Sequence, residues 1–561
     1  MLYKGLWHRL LAVLVVTAGC AVPMNGQEKQ LSDISKHIDI YTSLLKELEL
    51  NYVDTLNHER LMEFAIGRML YSLDPYTVYI PEKEEEAVRT LRSGEYGGIG
   101  SIITQVEGKV CIYDPYEGMP AQKSDVRAGD VILEVDGVSA EGKSVAQVSE
   151  MLRGVPGTEI TLKLRREGEK KPIVRKFTRE VVQITPIPYY GTVAPGVGYI
   201  VFNDFIDKSF VEFKRAMDDL TKNYGVEKLI VDLRSNGGGL IDQAAKIASL
   251  FVPNGTEIAS IRGKDKRSEH VYRTTDEPLY PDMPLAFIVG ENTASSAEIL
   301  SGAMQDLDRA AVFGTRTFGK GLVQSIRQLP HNGYLKVTTA KYYLPSGRCV
   351  QAVDYAQRQN AGRDYAIPDS LTDEFLSAKG RVFLNNSGIT PDVECDEQMK
   401  VNIAYYMYAK NLYFQYANRY CLSHSHIATA DSFALTEEEY ADFVAFVKEK
   451  KFTYTLESER YLEDLRDLVE MEGLSGMAGE MFDSLSAVLQ PDIDRDIMLF
   501  EDDVRSFLES EIVKRYYFQR GVCQYNTRRD RCLDKAVEYL GDEERWNAIF
   551  DVERQGEEET D

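Results

Sequence analysis

Cysteine is scarce in this 561-residue chain, and seven residues are too few for a disulfide scaffold. Histidine is as rare, also at seven, and no Cys/His spacing suggests zinc. His424 and His426 form only a weak pair, better read as a solvated loop. An excess of positive charge is missing too. The net charge is -24, which argues against a nucleic-acid backbone as partner. Acidity alone names no other partner and serves solubility. There is no internal repeat, and low complexity is confined to the acidic tail Gly556 to Asp561. What is present is a globular composition, 43% hydrophobic and 27% charged, long enough for three or four units.

Among the cysteines, Cys111 sits in the strand-like Val110-Cys111-Ile112 and reads as a buried thiol. Cys523 and Cys532 could pair in an oxidising compartment. The first residues read as an export signal: Lys4 and Arg9, then an apolar run from Leu10 to Val16, then small residues at Ala18 and Gly19. That run is too short to span a bilayer. Two processing outcomes stay open. Thr17-Ala18-Gly19-Cys20 resembles a lipobox that would leave a lipid anchor on Cys20. Cleavage near Gly26-Gln27 would instead release the chain.

The texture divides the chain into a signal segment (1-27), a helical region (28-94), a β-rich domain (95-183), an α/β core (184-394) and a helical region (395-561). Leu61, Phe64, Ala65 and Met69 carry the helical spacing of the second segment, which Pro75 stops. In the third, short strands surround one amphipathic helix from Ser144 to Arg153. In the fourth, strands at Gly198 to Phe202, Lys228 to Leu233 and Pro284 to Val289 alternate with helices, which predicts a sheet covered by helices.

Three segments of the core carry the chemistry. Ser295 follows a buried strand and a small-residue turn, so its hydroxyl would stand at a helix N-terminus, where free amides favour negative charge. A serine at such a place is usually only a cap. Lys320 lies between Gly319 and Gly321 ahead of an apolar stretch. A lysine buried there would lose the stability of its ammonium form and could accept a proton. No Gly-x-x-x-x-Gly-Lys-Ser/Thr pattern is present, which excludes a phosphate loop. Asp232 to Gly239 runs a strand into three glycines, a tight turn that could also wall an oxyanion hole.

Together, in this order, the three segments resemble the carboxyl-terminal processing (tail-specific) proteases. The pattern Ala-Ser-x-x-Glu-Ile, then Gly-Lys-Gly-x-x-Gln with its lysine 25 residues after the serine, is met by Ser295, Lys320 and Gln324. Gly237 stands where the family has proline. Asp74-Pro75-Tyr76-Thr77, Pro345-Ser346-Gly347-Arg348 with Gln351, and Gly388-Ile389-Thr390-Pro391-Asp392 look like further landmarks.

The resemblance implies a crotonase/ClpP-like α/β protease core and a serine endopeptidase with no metal and no cofactor. Ser295 would attack the scissile carbonyl, Lys320 would act as base, and Gln324 would orient the lysine. The amide of Ser296, with that of Gly238 or Gly239, would hold the oxyanion. The hydroxyl of Ser296 fits the spacing to Lys320 less well as a nucleophile.

Residues 95-183 resemble a PDZ domain. Amides around Ile99, Gly100 and Ser101 could hold a terminal carboxylate, and the peptide would add as a strand against Val145, Val148 and Leu152. Ser101 replaces a usually apolar residue. In the family this module captures apolar polypeptide C-termini and can gate the active site, with Arg153 a candidate coupling residue. The expected setting is the bacterial periplasm or cell envelope. For residues 395-561, homo-oligomer formation, partner docking and a cap over a substrate channel stay open. Tyr405, Tyr406 and Tyr408 are expected to pack rather than to form a ligand cage.

Overall fold

The computed structural model describes residues 25-84, 90, 93-264, 266, 269-355, 367, 372-395 and 401-551. The export segment with Cys20 and the acidic tail lie outside the described residues. Two compact units divide at Ser72. The first holds the helices Asn25–Asn51 and His58–Tyr71, the second of them capped by the Asn57 side chain, which accepts from Arg60 N at 2.9 Å.

The region expected to be helical up to residue 94 is interrupted by a strand. Val78–Ile80 is a strand, paired antiparallel with Tyr334 to Lys336. The cause is local. Asp74 accepts from the amides of Tyr76 (2.8 Å) and Thr77 (2.7 Å) and from the Thr77 hydroxyl (2.9 Å), and this turn sends the chain into a sheet.

Residues 95-183 enter and leave as a strand pair, Glu95–Gly98 against Glu180–Gln183. Between them a six-stranded antiparallel sheet packs on the helix Val145–Leu152. Ser144 and Gln147 cap that helix reciprocally. Ile160, Leu162 and Leu164 alternate along one strand and are fully buried, which fixes its register. Cys111 is buried on the strand Lys109–Pro115 of the same sheet, and desolvation pushes its thiol up to about 11.

The core sheet has six strands in sequence order: β1 Tyr189–Ala194, β2 Val197–Val201, β3 Lys228–Asp232, β4 Leu285–Val289, β5 Ala311–Gly314 and β6 Val393–Glu394. Only β1 pairs antiparallel. The helices α1 Ser209–Tyr224, α2 Ile241–Ala248 and α3 Ser296–Asp306 share one core with Leu229, Val231, Phe287 and Val289. Their strand neighbours Ile230, Ala286 and Ile288 point the other way, into a second core. Such continuous apolar strands require cover on both sides.

The second cover comes from beyond the expected boundary at residue 394. Helix α4, Arg531–Gly541, buries Cys532, Leu533, Ala536 and Leu540 against that face. Leu533 and Leu540 contribute about 1.5–3 kcal/mol each by that burial. The rest of the C-terminal region forms an aromatic core around Tyr413, Tyr416, Phe443 and Phe446. There Tyr406 packs on Tyr454, Tyr408 on Phe507 and Tyr405 edge-on against Tyr406, with Tyr405 and Tyr408 both exposed on one side. The same region docks on the β-rich domain through the stacked rings of Tyr113 and Phe414, 5.2 Å apart.

Candidate active site

Ser295 occupies the elbow between β4 and α3. Its backbone has φ 57° and ψ -118°, a strained conformation for any residue with a side chain. The elbow is held by its neighbours. Thr293 Oγ accepts from Gly290 N at 2.9 Å and donates to Leu233 O at 2.8 Å, stapling the turn to the end of β3. Ala294 N donates to Asn236 O at 3.0 Å. The buried Asn236 side chain in turn donates to Phe202 O and accepts from Gly238 N, both at 2.9 Å. Ser295 is half-buried, so a reactant can reach its hydroxyl.

The glycine loop comes up against this elbow. Gly238 has φ 99°, and a Cβ there would lie 2.7 Å from Ser295 Cβ and 2.9 Å from Ser296 N. Gly239 has φ 138° and packs on the Phe205 backbone just as tightly. The Ser296 hydroxyl donates to Gly239 O at 2.8 Å and its residue is fully buried, which takes that hydroxyl out of contention as a nucleophile.

Glu298 organises the site. Its carboxylate is fully buried and accepts four hydrogen bonds. Oε2 takes the amides of Ser295 (2.8 Å) and Lys320 (2.9 Å), while Oε1 takes Gly319 N (2.8 Å) and the Thr317 hydroxyl (2.6 Å). Burial pushes this carboxyl above its ordinary pKa, and the Thr317 hydroxyl and the three amides oppose that shift. The landmark residues brace the same loop from behind. Gln351 Oε1 accepts from Gly321 N at 2.8 Å, and Ile389 N donates to Thr317 Oγ at 2.7 Å. Arg348 pairs with Asp306 at 2.8 Å at the far end of α3.

The Lys320 amine is half-buried, 4.4 Å from the centre of the Tyr76 ring. Desolvation, with the Lys336 charge second, pushes its pKa down to about 8, against the pull of Glu298 and Asp74. Among the described residues no hydrogen bond joins its Nζ to Ser295 Oγ. Gln324 also turns elsewhere: its Nε2 donates to Thr338 Oγ at 3.2 Å, and Thr338 N donates to Thr77 Oγ at 3.2 Å.

Sequence reasoning missed Glu298, Thr317, Asn236 and Tyr76 as functional residues. Tyr76, Asn236 and Glu298 stand inside motifs the sequence singles out without a role of their own, and the Ser-x-x-Glu spacing of Glu298 ahead of an apolar helix is also that of a capping box.

On the β-rich domain a cavity of about 350 Å³ lies between the strand Ser101–Val106 and the helix Val145–Leu152. Among the described residues that strand pairs on one side only, with Lys109–Pro115. Ile99, Gly100, Ser101, Val145 and Leu152 line the cavity. Val148 does not. It is fully buried in the domain core, and Ser149, one turn from Val145, takes the groove position instead. The Ser101 hydroxyl is spent on its own sheet, donating to Ile102 O and Asp114 O. Arg153 lines the same cavity, 4.9 Å over the Tyr96 ring.

Residues 196–357 match the model of peptidase family S41, and residues 111–166 that of a PDZ domain. Residues 403–540 match the C-terminal helical domain of PDZ-proteases. A carboxy-terminal-processing protease of Bartonella bacilliformis is 33% identical over 347 residues, covering 61% of this chain and 78% of that protein. A photosystem II D1 C-terminal processing protease of known structure is 27% identical, covers 63% of this chain and 86% of its own, and has a TM-score of 0.36. The PDZ domain of a Vibrio cholerae carboxy-terminal protease, solved with a peptide, is 25% identical over 16% of this chain and 99% of its own, with a TM-score of 0.16. The chain belongs to the carboxy-terminal-processing proteases of peptidase family S41. It is a serine peptidase with a PDZ domain, and its substrates are polypeptides. No helix of the described residues is long and apolar enough to cross a membrane.

Proposed function

We propose that the chain cleaves exported polypeptides near their C-termini with Ser295 as nucleophile and Lys320 as general base. The observation that carries this reading is the shared Glu298 carboxylate, which ties the strained serine elbow to the loop of a lysine whose pKa is held near 8. A neutral amine takes the Ser295 proton as the hydroxyl attacks the scissile carbonyl, and returns one to the leaving amine. Productive attack requires the lysine side chain to swing from the Tyr76 ring to hydrogen-bond reach of Ser295 Oγ. Gln324, on the adjoining strand, orients the amine in that state.

Two amides suit the oxyanion. Ser296 opens α3, so its N–H has no carbonyl one turn back within the helix. Gly239 N is the better partner, because Gly238 N is engaged with Asn236 Oδ1. The groove between the open strand edge and the helix Val145–Leu152 takes the substrate's C-terminal residues as an added strand. Export, with or without a lipid on Cys20, brings the enzyme to its substrates in the cell envelope, and self-association remains a role for the helical regions.

The purified chain should trim a polypeptide with an apolar C-terminus, and Ser295→Ala and Lys320→Ala should each abolish trimming without loss of fold. Trimming that survives in either variant would refute the dyad.

A further inference from the structure

Helix α4 does more than cover the sheet. At ~1.5 Å per residue its eleven residues run about 16 Å, the length of the five-residue strand β3 at ~3.3 Å per residue. The two are tied at both ends. At the start of β3, Lys228 Nζ donates to Leu540 O at 2.6 Å, on the last turn of α4. At the end of β3, Asp530, the N-cap of α4, meets Arg234 of the glycine loop. The helix is therefore tied at both ends to the strand that delivers that loop, while its side chains pack across the sheet face onto β4 and β5.

The contact at Asp530 is specific. Its Oδ1 accepts from Leu533 N at 2.8 Å and caps the helix. Its Oδ2 accepts from Arg234 Nη2. The same guanidinium also holds Asp232, with Nη2 at 2.6 Å and Nε at 3.1 Å from its carboxylate oxygens. Tyr199 closes the set by donating to Asp232 Oδ2 at 2.6 Å. Arg234 is thus fixed between a carboxylate of its own loop and one supplied by the C-terminal region. Its neighbour Leu233 is the residue whose carbonyl accepts from Thr293 on the serine elbow. Gly239 lies at the other end of the same turn.

We infer that Asp530 is a positioning residue for peptide-bond cleavage. Through Arg234 it sets the glycine loop against Ser295, so the C-terminal region completes the catalytic apparatus from outside the core. This rests on the oxyanion reading of that loop. Removing the Asp530 charge takes one carboxylate from the Arg234 guanidinium, and the loop gains freedom at the residue that anchors it. The resulting loss falls on the transition state rather than on substrate binding, because no substrate contact is touched.

Asp530→Asn is the informative variant, since asparagine keeps the helix cap and nearly the same shape while removing the charge. The expected result is a kcat at least ~10-fold lower with KM within about twofold. Affinity for a peptide aldehyde, whose hemiacetal carries the oxyanion, falls in parallel, and affinity for the matching product peptide stays unchanged. Asp530→Glu, which restores the charge on a longer arm, recovers part of both losses, and serves as the test should the asparagine variant fold poorly. Unchanged kcat and aldehyde affinity in both variants would overturn the inference, as would losses that follow melting temperature alone. Labelling by a serine-reactive probe separates the two readings. A wild-type chain that does not label at Ser295 sinks the dyad itself, whereas a labelling wild type beside a fully active Asp530→Asn sinks only the role of Asp530.

Discussion

Ser295 and Lys320 share one acceptor: Oε2 of Glu298 takes the backbone amide of the first at 2.8 Å and of the second at 2.9 Å. A carboxylate buried at the start of α3 thus sets the spacing of nucleophile and base through their main chains, leaving both side chains free to move.

Glu298→Gln turns one of those oxygens into an NH2 group facing an amide donor. Activity on a reporter peptide should fall ~100-fold, because a displacement of about 1 Å between reacting groups has that effect. Glu298→Ala should also destabilise the fold by several kcal/mol, since four donors lose their partner and the two fully buried ones, Thr317 Oγ and Gly319 N, cost about 1–3 kcal/mol each. Urea denaturation and peptidase assays measure the two effects separately, and full activity in Glu298→Gln would show that the clasp is dispensable.

The depressed lysine predicts a pH profile. The base is the neutral amine, so kcat/KM should rise with pH and reach half its plateau near pH 8. Arginine cannot supply a neutral form, and Lys320→Arg should be inactive throughout. Stability carries the opposite mark. A folded pKa below the 10.5 of an unburied lysine means that the charged amine opposes folding, fully so below about pH 8 and progressively less as pH climbs toward 10.5. Lys320→Met should therefore raise the melting temperature at pH 7, with the gain shrinking by pH 10.

Gly238 is a steric prediction. Its φ of 99° and the 2.7 Å approach of a Cβ to Ser295 leave no room for alanine. Gly238→Ala should lower kcat by ~100-fold or more while the PDZ domain still binds peptide, because the clash acts on the elbow alone. Wild-type turnover in that variant would mean that the loop stands clear of the nucleophile.

The PDZ groove predicts a KM effect. In the Ser295→Ala chain, a peptide with a free apolar C-terminus should bind at least ~10-fold more tightly than its amidated form, as read by fluorescence anisotropy. Val145→Asp should raise KM with little change in kcat, and equal affinity for the two peptides would remove the groove from the proposed role.

Much of the site is legible in the sequence because its parts are local. Ser295 follows a buried strand, Lys320 sits between glycines, and Asp232 to Gly239 is one strand and its turn. What the sequence hides is pairing across distance. Asp530 reaches Arg234 over 296 positions, and α4 shows only that it is amphipathic, not which sheet face it covers. Val78–Ile80 is misread as helix because its neighbours have helical spacing and its partner lies on Tyr334–Tyr343. Val148 is misplaced for a geometric reason: a short helix has one face for the groove and one for the core, and apolar character marks both.

The most direct measurement of the central claim is the rate at which a fluorophosphonate labels the chain as a function of pH, with the modified residue located by mass spectrometry. The account predicts a single label, on Ser295, forming along a sigmoid centred near pH 8 in the wild type and lost in Lys320→Ala. A label on another residue, or one that forms at an undiminished rate without the lysine, would contradict it.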